Sequence, residues 1–115
     1  MNMVDEMPVS DAFGVDADVF ERAAEVFGLL STPVRLQIVD ALCRREMSVG
    51  ELLLRIPVAQ PNLSQHLGLL YRAGLLARRR DGPQIFYRID ARFAPMICAA
   101  VQSLVGPGDR APETP

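Results

Sequence analysis

The chain has 115 residues, half of them hydrophobic, and a formal net charge of −2. This length favours a single domain, and no apolar run approaches the roughly 20 residues that a membrane-spanning helix needs. The N-terminus lacks the basic-then-apolar order of a secretory signal, and two cysteines do not make a disulfide scaffold, so we expect a cytoplasmic protein.

The charges are distributed unevenly along the chain. Residues 1–21 contain six acids and no base, whereas residues 35–92 contain ten arginines and five acids. A basic centre of this kind indicates a polyanionic partner, although a solvated surface is the plainer interpretation. All twelve basic residues are arginine, whose guanidinium forms forked contacts to phosphate and guanine.

The first half of the chain reads as three helices. Residues 1–15 lack periodicity and are predicted to form a flexible acidic leader, and an apolar stripe predicts a first helix over residues 16–30. Thr32 and Pro33 suit the start of a second helix, which we expect to end near Arg45. Ser48 and Glu51 have the spacing of a capping box, which predicts a third, short helix.

The second half predicts a helix, a hairpin and a last helix. The fourth helix is expected from about Gln60 to Ala73, and it follows the third after a short turn, as in a helix-turn-helix. Two β-capable runs flank Asp81 and Gly82 and predict a β-hairpin. Asp90 opens a last helical segment that is apolar on almost every face. We therefore predict one domain over residues 16–105 and a disordered tail over residues 106–115.

The fourth helix has a polar outer face. Leu63, Leu67 and Leu70 define its buried side at helical spacing. The opposite side carries Gln, Asn, Ser and Arg side chains and no acid, and Gln and Asn are the residues that pair with adenine in the major groove. The basic hairpin beside this helix predicts a winged helix-turn-helix, with the wing lying along the DNA backbone or minor groove. The candidate DNA-binding residues are Gln60, Pro61, Asn62, Ser64, Gln65, His66, Arg72, Arg78, Arg80 and Gln84.

Several segments resemble the ArsR/SmtB family of small bacterial repressors. They are "TPVRLQIVDAL", "MSVGELL", "VAQPNLSQHLGLLYRAGLL" and "RRRDGPQIFYRI", and the resemblance extends over about residues 20–105. It implies a mainly α winged helix-turn-helix with a small β-hairpin, in the order α-α-α-α-β-β-α. It also implies a homodimer through the first and last helices that leaves its operator when an inducer binds. A partner surface would cover the apolar last helix, including Met96, Ile97, Ala100, Val101 and Leu104.

The inducer is open at this stage. The positions of the family's metal-binding thiolates hold Ser48 and Gly50, and the last helix lacks the histidine of a second family site, so we predict no metal and no cofactor. A thiol-sensing subgroup of the family uses cysteines in the second and last helices, where this chain has Cys43 and Cys98. Both are displaced by one or two turns from that pattern, and burial as small hydrophobic residues is the alternative.

We predict a dimeric, sequence-specific repressor whose partners are double-stranded operator DNA and a second copy of the chain. Enzymatic activity is not expected, because the chain has one histidine, no cluster of paired carboxylates and no glycine-rich phosphate loop. The alternative is a winged-helix protein-interaction module without DNA binding. That alternative predicts acids or large apolar residues on the outer face of the fourth helix.

Overall fold

The computed structural model of the protein describes residues 17–106, over which it contains five α-helices and three short β-strands. The predicted leader and most of the predicted tail lie outside the described residues. By internal contacts the chain divides into two units, residues 1–31 and residues 32–115. The predicted domain limits of 16 and 105 stay a prediction.

The elements follow one another closely, and most of their bounds agree with the predictions. In chain order they are α1 (Ala17–Leu29), α2 (Pro33–Arg44), β1 (Met47–Ser48), α3 (Val49–Arg55), α4 (Gln60–Arg72), β2 (Leu76–Asp81), β3 (Gln84–Ile89) and α5 (Ala94–Val105). The predicted fold class, mainly helical with a β-hairpin, is confirmed. Strand β1 is an addition that the sequence did not predict.

The described part of the first unit contains helix α1, which has no buried residue. Phe20 and Phe27 are 53% and 74% exposed, and Val19 is 40% exposed. Exposed aromatic side chains at helical spacing indicate a surface that another protein surface covers.

The second unit has a dense aliphatic core. Its fully buried residues come from α2, α3, α4, β1 and the residues that follow α3 and α4, and the largest are Ile38, Val39, Met47, Leu52, Ile56, Leu63, Leu67, Leu70 and Leu75. Helix α5 packs against α2 and contributes Ile97 and Val101, which are only 3% and 2% exposed. The expectation that a partner surface covers Ile97 and Val101 is therefore wrong, because the chain's own core already buries both side chains.

Local hydrogen bonds fix the helix starts that the sequence indicated. The Thr32 hydroxyl accepts from the backbone N–H of Arg35 at 3.1 Å, ahead of Pro33 in the first turn of α2. The Ser48 hydroxyl accepts from the Glu51 N–H at 3.1 Å, and the Glu51 carboxylate accepts from the Ser48 N–H at 2.9 Å. The predicted capping box is confirmed, and such a cap is worth about 1 kcal/mol.

Helix α4 ends in a Schellman motif. The Leu75 N–H donates to the Leu70 carbonyl at 3.1 Å, and the Gly74 N–H donates to the Tyr71 carbonyl at 3.0 Å. This pattern requires a left-handed residue after the cap, and Gly74 has a φ of +87°. The motif turns the chain sharply from α4 into β2, so that the hairpin begins beside the end of this helix.

The sheet is antiparallel with the strand order β1-β3-β2. In the hairpin Arg78 pairs with Tyr87 and Arg80 with Ile85, and Gly82 takes a φ of +64° in the tight turn. Strand β1 joins the other side of β3, where Met47 pairs with Tyr87. Because β1 has only two residues, it gives no periodic signal in the sequence.

The last helix starts later than predicted. Helix α5 begins at Ala94, whereas Asp90 lies in a turn ahead of it. The Asp90 carboxylate accepts from the backbone N–H of Arg92 at 2.9 Å, and the Asp90 carbonyl accepts from the N–H groups of Phe93 and Ala94. The side-chain bond holds the backbone in an Asx turn, which competes with helix formation at that position.

Candidate nucleic-acid interface

Helix α4 places a polar face in solvent. Leu63, Leu67 and Leu70 are fully buried, which fixes the helix about its axis. The side chains opposite them are exposed, and five of these were predicted to touch DNA: Pro61, Asn62, Ser64, Gln65 and Arg72. Because α4 contains no acidic residue, this face does not repel a phosphate backbone.

The glycine in this helix leaves room for one of the chain's own arginines. A Cβ atom added at Gly68 would lie 3.0 Å from Nη1 of Arg72, so the Arg72 side chain folds back along the helix over Gly68. The guanidinium of Arg72 consequently lies beside Gly68 on the exposed face of the helix.

His66 is turned toward α2. Its Nδ1 lies 3.2 Å from Nη1 of Arg35, and because a guanidinium only donates, Nδ1 is the acceptor in this contact. The ring is half-buried at the border of the polar face. Its predicted contact with DNA stays a prediction, whereas its contact with α2 indicates a role in orienting α4.

Three arginines on the basic part of the chain are paired with acids. Arg79 holds Glu46 with two nitrogens at 2.8–3.1 Å, Arg92 binds Asp90 at 2.9 Å, and Arg45 lies 3.4 Å from Glu51. The hydrogen bond from Arg79 is the main reason that the pKa of Glu46 lies below its usual range. Desolvation of the Glu46 carboxylate raises this pKa, but by less. These ion pairs neutralise part of the positive charge that the sequence places in residues 35–92.

In the described part of the chain, the arginines predicted to touch DNA are not paired with acids. No acidic side chain within residues 17–106 lies within bonding distance of Arg72, Arg78 or Arg80. The guanidinium of Arg78 stacks on the Tyr71 ring, 3.9 Å from its centroid, and its hydrogen bond to Tyr87 raises the pKa of Arg78 above the usual arginine value. The three positive charges therefore remain available along α4 and the hairpin.

A cleft of about 480 Å³ lies between the start of α3, the start of α4 and the wing tip. Gln60 and Gln84, which were predicted as site residues on separate elements, both line this cleft together with Pro83. The structure thus brings the first residue of the polar helix and the first residue of β3 to one surface. Gln84 itself is exposed, as a contact at the wing tip requires.

Cys43 and Cys98 are joined in a disulfide that links α2 to α5, with their Cα atoms 5.6 Å apart. The sequence left open whether the two cysteines meet. Both residues are half-buried, and their burial as separate small hydrophobic residues is therefore not what the structure shows.

No group of three or more His, Cys, Asp or Glu side chains within residues 17–106 is placed to hold a metal ion. Ser48, at one position of the family's thiolate site, uses its hydroxyl to cap α3. In the same part of the chain, no single helix is long and apolar enough to cross a membrane.

The polar helix, its preceding short helix and the basic hairpin define a winged helix-turn-helix protein. A family model described as "Bacterial regulatory protein, arsR family" matches residues 32–78. The biofilm growth-associated repressor of Xylella fastidiosa is 46% identical over 86 residues, which cover 71% of this chain and 75% of that protein. The chain belongs to the ArsR family, as its sequence motifs indicated.

Solved structures agree with this assignment. Reduced HlyU from Vibrio cholerae has a TM-score of 0.72 and 30% identity, covering 77% of this chain and 94% of that one. A homodimeric winged helix-turn-helix DNA-binding domain from Mycobacterium bovis has a TM-score of 0.68 and 26% identity, covering 86% and 87%.

Proposed function

We propose that the protein is a homodimeric transcriptional repressor that binds double-stranded operator DNA in a sequence-specific way. The observation that carries the proposal is the exposed, acid-free face of α4 beside arginines that have no acidic partner within residues 17–106. In this proposal Asn62, Ser64 and Gln65 contact base edges in the major groove, and Arg72 and Arg80 contact phosphates.

The experiment is a salt titration of DNA binding. Wild-type protein is titrated by fluorescence anisotropy into a duplex that it has selected from a random library, and into a random duplex of the same length. We expect the logarithm of the binding constant to fall linearly with the logarithm of salt concentration on both duplexes. Absence of binding, or equal affinity for both duplexes, would contradict the proposal.

The rival, a protein-interaction module, receives no support from the outer face of α4. The most exposed side chains there are polar, and the aliphatic ones point inward, apart from Leu69 at 37% exposure. A protein-docking surface of this size would normally have large apolar or aromatic residues at its centre.

The proposed dimer uses α1 and α5. Helix α1 exposes Phe20 and Phe27, and α5 exposes Met96 and Leu104 at 61% and 79%. A second copy would remove these apolar side chains from water, which stabilises association by about 25 cal/mol per Å² before the costs of binding are subtracted. The homodimeric relative from Mycobacterium bovis supports dimerisation itself.

We further propose that the operator is released when Cys43 and Cys98 are oxidised. One thiolate attacks a terminal sulfur of a polysulfide, whose S–S bond breaks, so that the cysteine becomes a persulfide and the polysulfide leaves one sulfur shorter. The second thiolate then attacks the cysteine sulfur of that persulfide, which forms the disulfide and expels hydrosulfide. The short distance between the two Cα atoms supports this step, because a disulfide requires them within about 7 Å.

The proposed mechanism is geometric. Two reading helices contact both half-sites only when they lie about one DNA turn apart. Helix α2 packs against the reading helix α4, and α5 belongs to the proposed dimer surface. A covalent link between α2 and α5 would therefore fix the angle between the reading helix and the dimer axis.

A further inference from the structure

Three elements hold the guanidinium of Arg78 in one position. Arg78 lies on β2, and its guanidinium stacks on the ring of Tyr71, near the end of α4, 3.9 Å from the centroid. Its Nη1 donates to the hydroxyl oxygen of Tyr87, on β3, at 3.5 Å. An exposed arginine normally samples many rotamers, and here two tyrosines restrict it.

A concavity of about 240 Å³ adjoins this cluster, between the second half of α4 and the hairpin. Within residues 17–106 its lining consists of Tyr71, Ile85 and the arginines 78–80, none of which is acidic. Arg78 and Arg80 are two residues apart on one strand, so their side chains leave β2 on the same side. Arg79 also borders the concavity, but its guanidinium is bonded to Glu46.

We propose that this concavity binds one phosphate of the DNA backbone, and that Tyr71 positions Arg78 to contact that phosphate. The inference rests on the proposed DNA binding and adds a residue that the sequence did not single out. Two guanidinium groups and no carboxylate suit a phosphodiester, which accepts forked N–H contacts.

A phosphate is favoured over a base as the ligand of Arg78. An arginine that reads guanine extends its side chain to the floor of the major groove. The guanidinium of Arg78 is instead held flat against Tyr71, and one of its nitrogens faces Tyr87. The ring of Tyr71 covers one face of the guanidinium, so the N–H groups along the guanidinium edge remain exposed. In this proposal that edge contacts the DNA backbone between α4 and the wing.

The test compares salt slopes on a random duplex of about 30 base pairs, which is long enough for two half-sites. Arg78→Ala should lower the slope by about 0.9 for each subunit that contacts the duplex, and so by about 1.8 for a bound dimer. Arg79→Ala is the matched control, because it removes a neighbouring arginine that Glu46 already neutralises, and its slope should equal that of wild type. A wild-type slope in Arg78→Ala would overturn the inference while leaving the proposed DNA binding intact.

The role of Tyr71 is tested by a double-mutant cycle. Tyr71→Leu should weaken binding roughly two- to fivefold, the range of an exposed cation–π contact, and Tyr71→Phe should bind as wild type does. In the Arg78→Ala background Tyr71→Leu should have no further effect. An equal loss in both backgrounds would mean that Tyr71 acts on the fold alone, and would overturn the positioning role.

A second variant covers the case in which Tyr71→Leu does not fold. Tyr87→Phe removes only the hydroxyl that bonds Arg78 and should weaken binding about twofold in the wild-type background and not in Arg78→Ala. An identical effect of Tyr87→Phe in both backgrounds would count against the proposed phosphate site. If wild type shows no salt-dependent binding to any duplex, both this inference and the proposed function fail.

Discussion

Cys43, in the last turn of α2, is bonded to Cys98, in the second turn of α5, across a sequence separation of 55 residues. The bond ties the helix that supports the polar helix to the helix with the exposed Met96 and Leu104. By chain entropy, closing a loop of this length stabilises the folded state by at most roughly 4 kcal/mol. The redox state of this pair is therefore expected to influence both stability and the proposed DNA binding.

The first prediction concerns this pair. Reduced protein should bind its selected duplex more tightly than polysulfide-treated protein, by the ~1–3 kcal/mol that is typical of coupling between sites. The measurement is fluorescence anisotropy before and after treatment. Cys43→Ser and Cys98→Ser should each bind like reduced wild type under both conditions. If treated wild type binds as tightly as reduced protein, or if both variants still respond, the disulfide is structural and has no role in induction.

The second prediction separates base contacts from phosphate contacts. Gln65→Ala should cost ~1–3 kcal/mol on the selected duplex and little on a random one, because a base contact carries sequence information. Arg80→Ala should weaken binding to both duplexes about equally and reduce the salt slope by about one for each bound subunit. Each variant serves as the control for the other, and equal losses on both duplexes for both variants would refute the division.

The third prediction locates the dimer surface. Met96→Asp or Leu104→Asp should convert dimer to monomer in sedimentation at micromolar concentration, because both side chains are exposed on α5. The matched comparison is Ile97→Asp, which buries a charge in the chain's own core and should unfold the protein instead. A dimer that survives both exposed substitutions, or a wild type that is already monomeric, would exclude this face of α5.

Much of the fold followed from short-range signals. The capping box at Ser48 and Glu51 and the turns at Gly74 and Gly82 depend on residues within a few positions of one another. The same reasoning placed a helix start at Asp90, where a side-chain hydrogen bond to the backbone of Arg92 forms a turn instead. Local patterns failed where two local structures compete for the same backbone groups.

The candidate site was less predictable because its partners are distant in sequence. Glu46 neutralises Arg79 from 33 residues away, and His66 meets Arg35 across 31 residues. Neither pairing leaves a periodic or compositional trace, so the sequence could not tell which arginines remain available. The meeting of the two cysteines is of the same kind, since it depends on how α2 and α5 pack.

The fourth prediction uses the ion pair that anchors the hairpin to the turn before β1. Because Arg79 holds the pKa of Glu46 below its usual value of about 4.3, the pair stabilises the fold at neutral pH. That contribution is fully present above the unfolded pKa and is lost as the pH falls through the lower, folded pKa.

Glu46→Gln should therefore be less stable than wild type in urea at pH 7, and the difference should shrink as the solution is acidified below about pH 4. Glu25→Gln, in α1, is the control, because Glu25 forms no ion pair within residues 17–106 and its replacement should change the urea midpoint little at any pH. The ion pair is exposed, so screening by salt should also reduce the difference. If Glu46→Gln and wild type differ by the same amount at pH 7 and at pH 3, the lost stability comes from packing at this turn and not from the charge on Glu46.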